Sequence, residues 1–293
     1  MVQLQSGAEA RAAAQSRVRL ELLSELVRKD LKVKYKNSAL GFVWSMANPL
    51  LYLAVFTLVF TFFLPNGVPR FAVLFMSGFL VWNFFNLATL SGTGSVVGNA
   101  NLVRKVRFPR VVLPLASVGF AGVHFALQLL VFFAFLVPFH PDAFGLQLWL
   151  LVPALAVAVA FTVAVSLLVS ALNVRYRDVQ HLLEVVMLAW FWLTPIVYPV
   201  TVVRDKQAEA GLLWMFKLYM ANPMTAVVVA AQRAAYVHPV VTAENGEVVQ
   251  VLPAAGYGFY LQWLAVAAVG SLVLLAVGLW TFRRLQADFA EEL

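Results

Sequence analysis

The sequence contains no cysteine, and only 12% of its 293 residues are charged, about half the share usual in soluble domains. Without thiols there is no disulfide frame, no thiolate metal site and no cysteine nucleophile. The scarcity of charge, set beside 62% hydrophobic residues and a mean hydropathy of +0.84, excludes a soluble globular enzyme. Intrinsic disorder is excluded as well, because it needs low hydrophobicity and high net charge. No Gly-rich phosphate loop ending in Lys-Ser or Lys-Thr occurs, so any energy from nucleotide hydrolysis comes from another polypeptide. No apolar core precedes the small residues of AEARAAA, and no secretory leader is expected.

Long uncharged runs are present instead. A spanning helix needs about 20 mostly apolar residues, and six stretches meet or approach that: 40–64, 71–91, 111–137, 146–172, 182–200 and 259–282. Their only ionised residue is Glu184, at the mouth of the fifth. Carriers driven by protons or sodium place ionisable or coordinating groups at membrane depth, so these spans argue against ion coupling. His124 and Gln128, one turn apart on the third span, read as groups that bond to a neighbouring helix. No metal-ligand spacing, carboxylate pair or activated nucleophile stands in or beside the spans, which disfavours a membrane-embedded transferase.

Basic residues are retained on the cytoplasmic side of a membrane. Alternate loops place sixteen of the 21 on one side: Arg11, Arg17, Arg19, Arg28, Lys29, Lys32, Lys34 and Lys36 before the first span, then Arg104, Lys105, Arg107 and Arg110, then Arg175 and Arg177, then Arg283 and Arg284. Arg70, Arg204, Lys206, Lys217 and Arg233 fall on the other. The expected architecture is an all-α polytopic membrane protein of six spans with both termini cytoplasmic. The net charge of +7 is then mostly topology, and no nucleic-acid partner is expected. Residues 1–39 form the cytoplasmic N-terminal segment, 40–282 the membrane domain and 283–293 a cytoplasmic tail.

Three segments between spans carry further pattern. In RVRLELLSELVRKDLKVKYK, Leu20, Leu23, Val27 and Leu31 make one helical stripe beside the basic face of Arg28, Lys29, Lys32, Lys34 and Lys36. This predicts an interfacial helix on the cytoplasmic leaflet, read either as a topogenic anchor or as the border of an entrance that meets anionic head groups of membrane lipids. After Gly92, Gly94 and Gly98, NANLVRKVRF predicts a short helix ended by Pro109. It is either an ordinary basic loop or a helix whose knobs Leu102, Val103 and Phe108 dock into a soluble partner. The outer segment 201–258 holds two apolar pieces split by Asn222-Pro223, each too short to cross, as in re-entrant or interfacial helices; 242–250 reads as an exposed loop.

Aromatic residues reach 14%. Trp44 stands at the start of the first span, where Tyr52, Phe56 and Phe60 recur every fourth residue; Trp82, Phe84 and Phe85 lie on the second span, Trp190, Phe191, Trp192 and Tyr198 on the fifth. Such rings serve as interfacial anchors, or they line a path on which the apolar faces of sugar rings stack without a fixed hydrogen-bond pattern.

Five segments in order, KYKNSALGFVWSMANPLLYLAVF, NLVRKVRFPRVVLPLAS, NVRYRDVQHLLEVVMLAWFWLTPIVYP, YMANPMTAVVVAAQRAAY and FRRLQADFAEEL, resemble the type-2 ATP-binding-cassette permeases that export polysaccharides and polyol phosphates, among them O-antigen, capsule, galactan and teichoic-acid exporters. The resemblance covers residues 22–293. It implies a half-transporter: two identical chains pair, two copies of a separate cytoplasmic ATPase carrying ATP and Mg dock beneath them, and a lipid-linked polysaccharide crosses the bacterial cytoplasmic (inner) membrane. No cofactor is expected on this chain. By resemblance, Asn99, Asn101, Leu102, Val103, Arg104, Lys105, Arg107 and Phe108 would form the coupling helix, with Arg175, Arg177 and Asp178 at the same surface. The basic amphipathic helix would be the cytoplasmic gate, and the pieces around Asn222-Pro223 the outer gate. Export of a small lipid or drug by the same architecture, and a membrane enzyme of lipid-linked sugar metabolism, remain as alternatives. Residues 1–16 have no counterpart in the family core and 242–250 fall in a variable region, so neither receives a role.

Overall fold

The computed structural model describes residues 2–36, 38, 43–63, 68–106, 108–237, 239–242 and 248–293. The chain runs through helices α1 (Val2–Tyr35), α2 (Val43–Leu58, continued by a π turn Val59–Phe63), α3 (Phe71–Thr93), α4 (Ser95–Gly98), α5 (Ala100–Lys105), α6 (Val112–Phe139), α7 (Leu151–Arg175, entered by a 3-10 turn Leu146–Leu150), α8 (Val179–Trp192), α9 (Val200–Glu209), α10 (Leu213–Ala221) and α11 (Pro223–Ala235). Strands β1 (Val240–Thr242) and β2 (Val248–Gln250) pair antiparallel, and α12 (Tyr257–Leu285) and α13 (Phe289–Glu292) close the described chain.

Among the described residues, α3, α6, α7 with its entering turn, and α12 are long and apolar enough to cross a bilayer, and the bent pair α10–α11 makes a fifth if counted as one span. The expected fifth span is shorter than its sequence suggested: α8 stops at Trp192 after 14 residues, about 21 Å of helix against a hydrocarbon core of about 30 Å. Pro195 is the reason, since it lacks an N–H and pushes Thr194 out of helical geometry. The first expected span begins and ends on residues outside the described set (39–42 and 64–67), and its described part is helical throughout.

Burial orders the bundle. The most apolar stretch of α3 is 78% buried, that of α12 only 22%. Hence α3 is the central post and α12 turns Val269, Leu272, Val273 and Trp280 outward, as helices facing lipid do. Behind α3 lies α11, expected as part of a re-entrant or interfacial pair; it is walled in, with Val227 through Ala231 fully buried. Its start is built by sequence: Asn222 Oδ1 accepts from the Met224 N–H at 3.1 Å and Pro223 occupies the first helical position. The break there bends α10 against α11 by 88°. The 242–250 segment, expected as a loop, contributes the second arm of the short hairpin, tied to α9 by the Thr201 hydroxyl donating to the Gln250 carbonyl.

Helices α7 and α12 approach closely because position 278 is glycine. A Cβ there would sit 2.8 Å from the Ala164 carbonyl oxygen, which cannot retreat inside a helix. Gly278→Ala is therefore expected to cost about 1–3 kcal/mol and lower the thermal midpoint of the detergent-solubilised protein. Gly270→Ala, on the same helix and facing open space, should leave it unchanged. Equal midpoints for the two variants would remove the close-contact reading.

Candidate functional site

The fourfold spacing of rings on α2 meets the same spacing on α3. Tyr52, Phe56 and Phe60 stand on one helix, Phe71, Phe75 and Phe79 on the other, and the columns zip across with ring centroids 4.9 Å apart for Tyr52–Phe79, 5.2 Å for Phe56–Phe75 and 5.3 Å for Phe60–Phe71. Phe191 of α8 reaches into the joint, 6.1 Å from Phe56 and 5.9 Å from Trp82. Beside these rings opens a cleft of about 400 Å³ between α2, α3 and α8, walled by Tyr52, Phe56, Phe79, Trp82, Phe191 and Trp192.

Amides share that wall. Asn48, Asn83 and Asn86 line the same cleft, with Glu184 at its mouth. Asn83 is fixed by donating to Gln128 Oε1 at 3.2 Å, and Gln128 in turn donates to the Ser45 carbonyl at 3.0 Å, which ties α3, α6 and α2 together. The Asn86 Oδ1 is buried with no hydrogen-bond partner among the described residues. The cleft therefore offers flat apolar faces and amide groups side by side.

Not every ring expected on this path reaches it. Tyr52, Phe56, Trp82 and Trp192 line the cleft, and Trp44 lines the cavity next to it. Phe60 stacks on Phe56 at one end. Phe85 is fully buried and packs with Phe161 and Trp190 between α3, α7 and α8, and the Tyr198 hydroxyl donates to the Trp192 carbonyl. Phe85, Trp190 and Tyr198 thus stand outside the lining and pack against or bond to the residues that form it. The three asparagines and Phe79 were missed, although Asn48 precedes Tyr52 by one turn and Asn83 and Asn86 are spaced to share a helix face.

The adjoining cavity, about 300 Å³, shares Asn48 and Asn83 with the cleft and is bounded by Lys34, Tyr35, Trp44, His124 and Gln128. The end of α1 covers it. The Tyr35 hydroxyl and His124 Nε2 are 2.5 Å apart, the His124 Nδ1 bonds to the Phe120 carbonyl, and the Lys34 ammonium lies 5.1 Å above the Phe120 ring. The packed face of α1 is set by Leu26, with Leu22, Leu23 and Val27 beside it, whereas Leu20, expected on the stripe, points to the outside. Of the basic face, Arg28 pairs with Glu25 in the next turn and Lys29 reaches the Asn99 side chain at 3.0 Å; Lys32 and Lys36 are exposed.

That Lys29–Asn99 bond leads to a second assembly, around α5. Val103 is buried in a cluster with Leu26, Val174, Phe282 and Phe289, and Leu102 and Phe108 pack against it. The expected knobs thus hold α5 to its own protein. Its outward side is Asn101, Arg104 and Lys105, and Arg175, Arg177 and Asp178 are exposed on the turn that follows the buried Val174. Arg107 lies outside the described residues. The structure brings the two expected groups to one surface through the shared cluster, with basic side chains outward. Among the described residues no three His, Asp or Glu side chains gather as a metal site.

A protein of spanning helices, a ring-lined cleft and a short basic helix between spans matches known proteins along most of its length. The model of the family described as ABC-2 type transporter matches residues 21–236. The O-antigen export system permease protein RfbA of Myxococcus xanthus is 30% identical over 273 residues, 93% of this chain and 95% of that protein. A protein of the same description from Klebsiella pneumoniae is 29% identical over 272 residues, 92% and 94% of the two chains. The chain belongs to the ABC-2 type transporter family, as a multi-pass membrane permease subunit that works with an ATPase on a separate chain.

Proposed function

We propose that this chain exports a lipid-linked polysaccharide, as one of two identical permease halves driven by two copies of a cytoplasmic ATPase that carry ATP and Mg. The observation that carries the reading is the cleft of rings and amides between α2 and α8. A sugar presents flat C–H faces and a rim of hydroxyls. Rings take the first by stacking, amides take the second by hydrogen bonding, and neither demands one fixed register. A chain of sugars can then advance without a deep binding minimum. The cleft is open on one side, and α2 and α8 beside it expose Leu51, Val55, Val185 and Leu188. A second copy facing it would complete a conduit.

In this reading the chain crosses the membrane six times with both termini cytoplasmic, counting α2 and α8 as spans within residues 40–282, and residues 201–258 form the outer gate. The basic residues of α1, α5, the 175–178 turn and α12's end then share the cytoplasmic side. Helix α1 acts as the cytoplasmic gate over the Lys34–His124 cavity, and α5 with Arg175, Arg177 and Asp178 receives the ATPase.

Reconstitution with the cognate ATPase tests the reading. Lipid-linked polysaccharide should reach the outer face of proteoliposomes only with ATP and the intact chain, and deletion of residues 102–108 should stop it. Polymer movement that survives the deletion, or product formation by the chain without ATPase, would refute it in favour of a different transport route or of a membrane enzyme.

A further inference from the structure

A helix of six residues has no stability of its own, because nucleation costs more than one turn returns. Helix α5 is such a helix, and no side chain caps its first turn. Its position must come from its neighbours. Asn99, just before it, is held by Lys29 of α1 and itself donates to the Ser95 carbonyl at 2.8 Å. What lies beneath it and after it comes from the opposite end of the sequence.

Past Leu285 the chain turns back on itself, the Asp288 N–H bonding to the Leu285 carbonyl, and α13 delivers Phe289 under the end of its own long helix. Phe289 meets Phe282 edge to face at 5.3 Å and is only 1% exposed, in the same cluster as Val103. On the far side of α5, the Arg110 guanidinium donates to the Gln286 carbonyl. The tail therefore touches the α5 segment twice, by a buried ring under its middle and by a hydrogen bond after its end. Asp288, Glu291 and Glu292 remain exposed, while Leu293 is partly buried against the same cluster as Phe289.

We infer that the tail helix α13 is a buttress for α5: Phe289 and Arg110 are positioning residues that fix the orientation in which α5 meets the ATPase. The inference rests on the proposed docking role of α5. A buttress of this kind makes coupling depend on residues that never touch the partner. Between α5 and the tail an open cavity of about 430 Å³ remains, walled by Arg104, Lys105, Arg110 and Gln286 among others.

The test uses the full chain in lipid nanodiscs with its cognate ATPase, and compares Phe289→Ala, Phe289→Leu and Arg110→Gln. Two quantities are read: amide hydrogen exchange over residues 101–106, and the dissociation constant of the ATPase complex. Phe289→Ala should speed exchange in α5 while leaving α3 and α7 protected, and should weaken ATPase binding about tenfold; Phe289→Leu should restore most of both. Arg110→Gln, which leaves the buried ring in place, should show a smaller change in the same direction. Wild-type exchange in α5 for Phe289→Ala and Arg110→Gln overturns the buttress. Faster exchange with unchanged ATPase affinity overturns its role in coupling. If the unaltered chain binds no ATPase, the docking reading fails, and the exchange arm still decides whether the tail holds α5.

Discussion

Reversing Arg104 and Lys105 together to glutamate is expected to weaken the complex with the ATPase about a hundredfold, near 2.7 kcal/mol. Both side chains are exposed in the last turn of α5, where cations also suit the negative end of the helix. If α5 receives the ATPase as proposed, its basic side chains call for an acidic face on the partner, and like charges there cost several kcal/mol. Because these charges are solvated, salt screens them over about 8–10 Å at physiological ionic strength. The difference between variant and parent should therefore shrink as salt is raised. Neither residue is packed, so the thermal midpoint should fall by no more than the helix-end effect, about 0.3–1 kcal/mol per charge. Parent-like affinity at low salt would remove α5 from the docking surface. This profile differs from that of Phe289→Ala, whose effect comes through packing and is insensitive to salt.

The second large effect is expected in the cleft. Tyr52→Ala and Trp192→Ala remove rings that are 40% and 51% exposed and line the cleft. At about 1 kcal/mol per lost ring contact, each should slow polymer export roughly fivefold and the pair roughly thirtyfold. ATPase binding should be unaffected. Phe85→Ala is the contrasting position. That ring is fully buried behind the wall, so its loss should cost about 3–5 kcal/mol of stability rather than act selectively on transport. Normal export by the Tyr52→Ala, Trp192→Ala double variant would favour a small lipid or drug as cargo.

The strongest signals in the sequence were those governed by local physics. Uncharged length located α3, α6, α7 and α12 to within a few residues. Asn222-Pro223 announced both the break and the start of α11, because capping and proline geometry act over one turn. What failed needed tertiary knowledge. Composition cannot tell a lipid-facing apolar helix from one walled in by protein, and so the two readings of α11, re-entrant and interfacial, stayed open. Leu102, Val103 and Phe108 looked like knobs for a partner because nothing local reveals that Phe289, more than 180 positions away, lies beneath Val103. The cleft was half visible. Its rings repeat every fourth residue, but Asn48, Asn83 and Asn86 are neutral, carry no periodic signal, and become a site only when α2 and α3 are laid side by side.

The zipped ring columns of α2 and α3 also bear on how the cleft can change width. Contacts between rings are attractive over a range of tilts and offsets, each pair contributing about 0.5–1.5 kcal/mol. A ladder of them has no single locking geometry, unlike the Gly278–Ala164 approach, where backbone meets backbone. One side of the molecule is thus keyed and the other is greased. If α2 rocks on its rings against α3, the cleft widens toward α8 while α7 and α12 stay in register. The cargo itself, as each sugar passes, would then set the spacing of the wall it slides along.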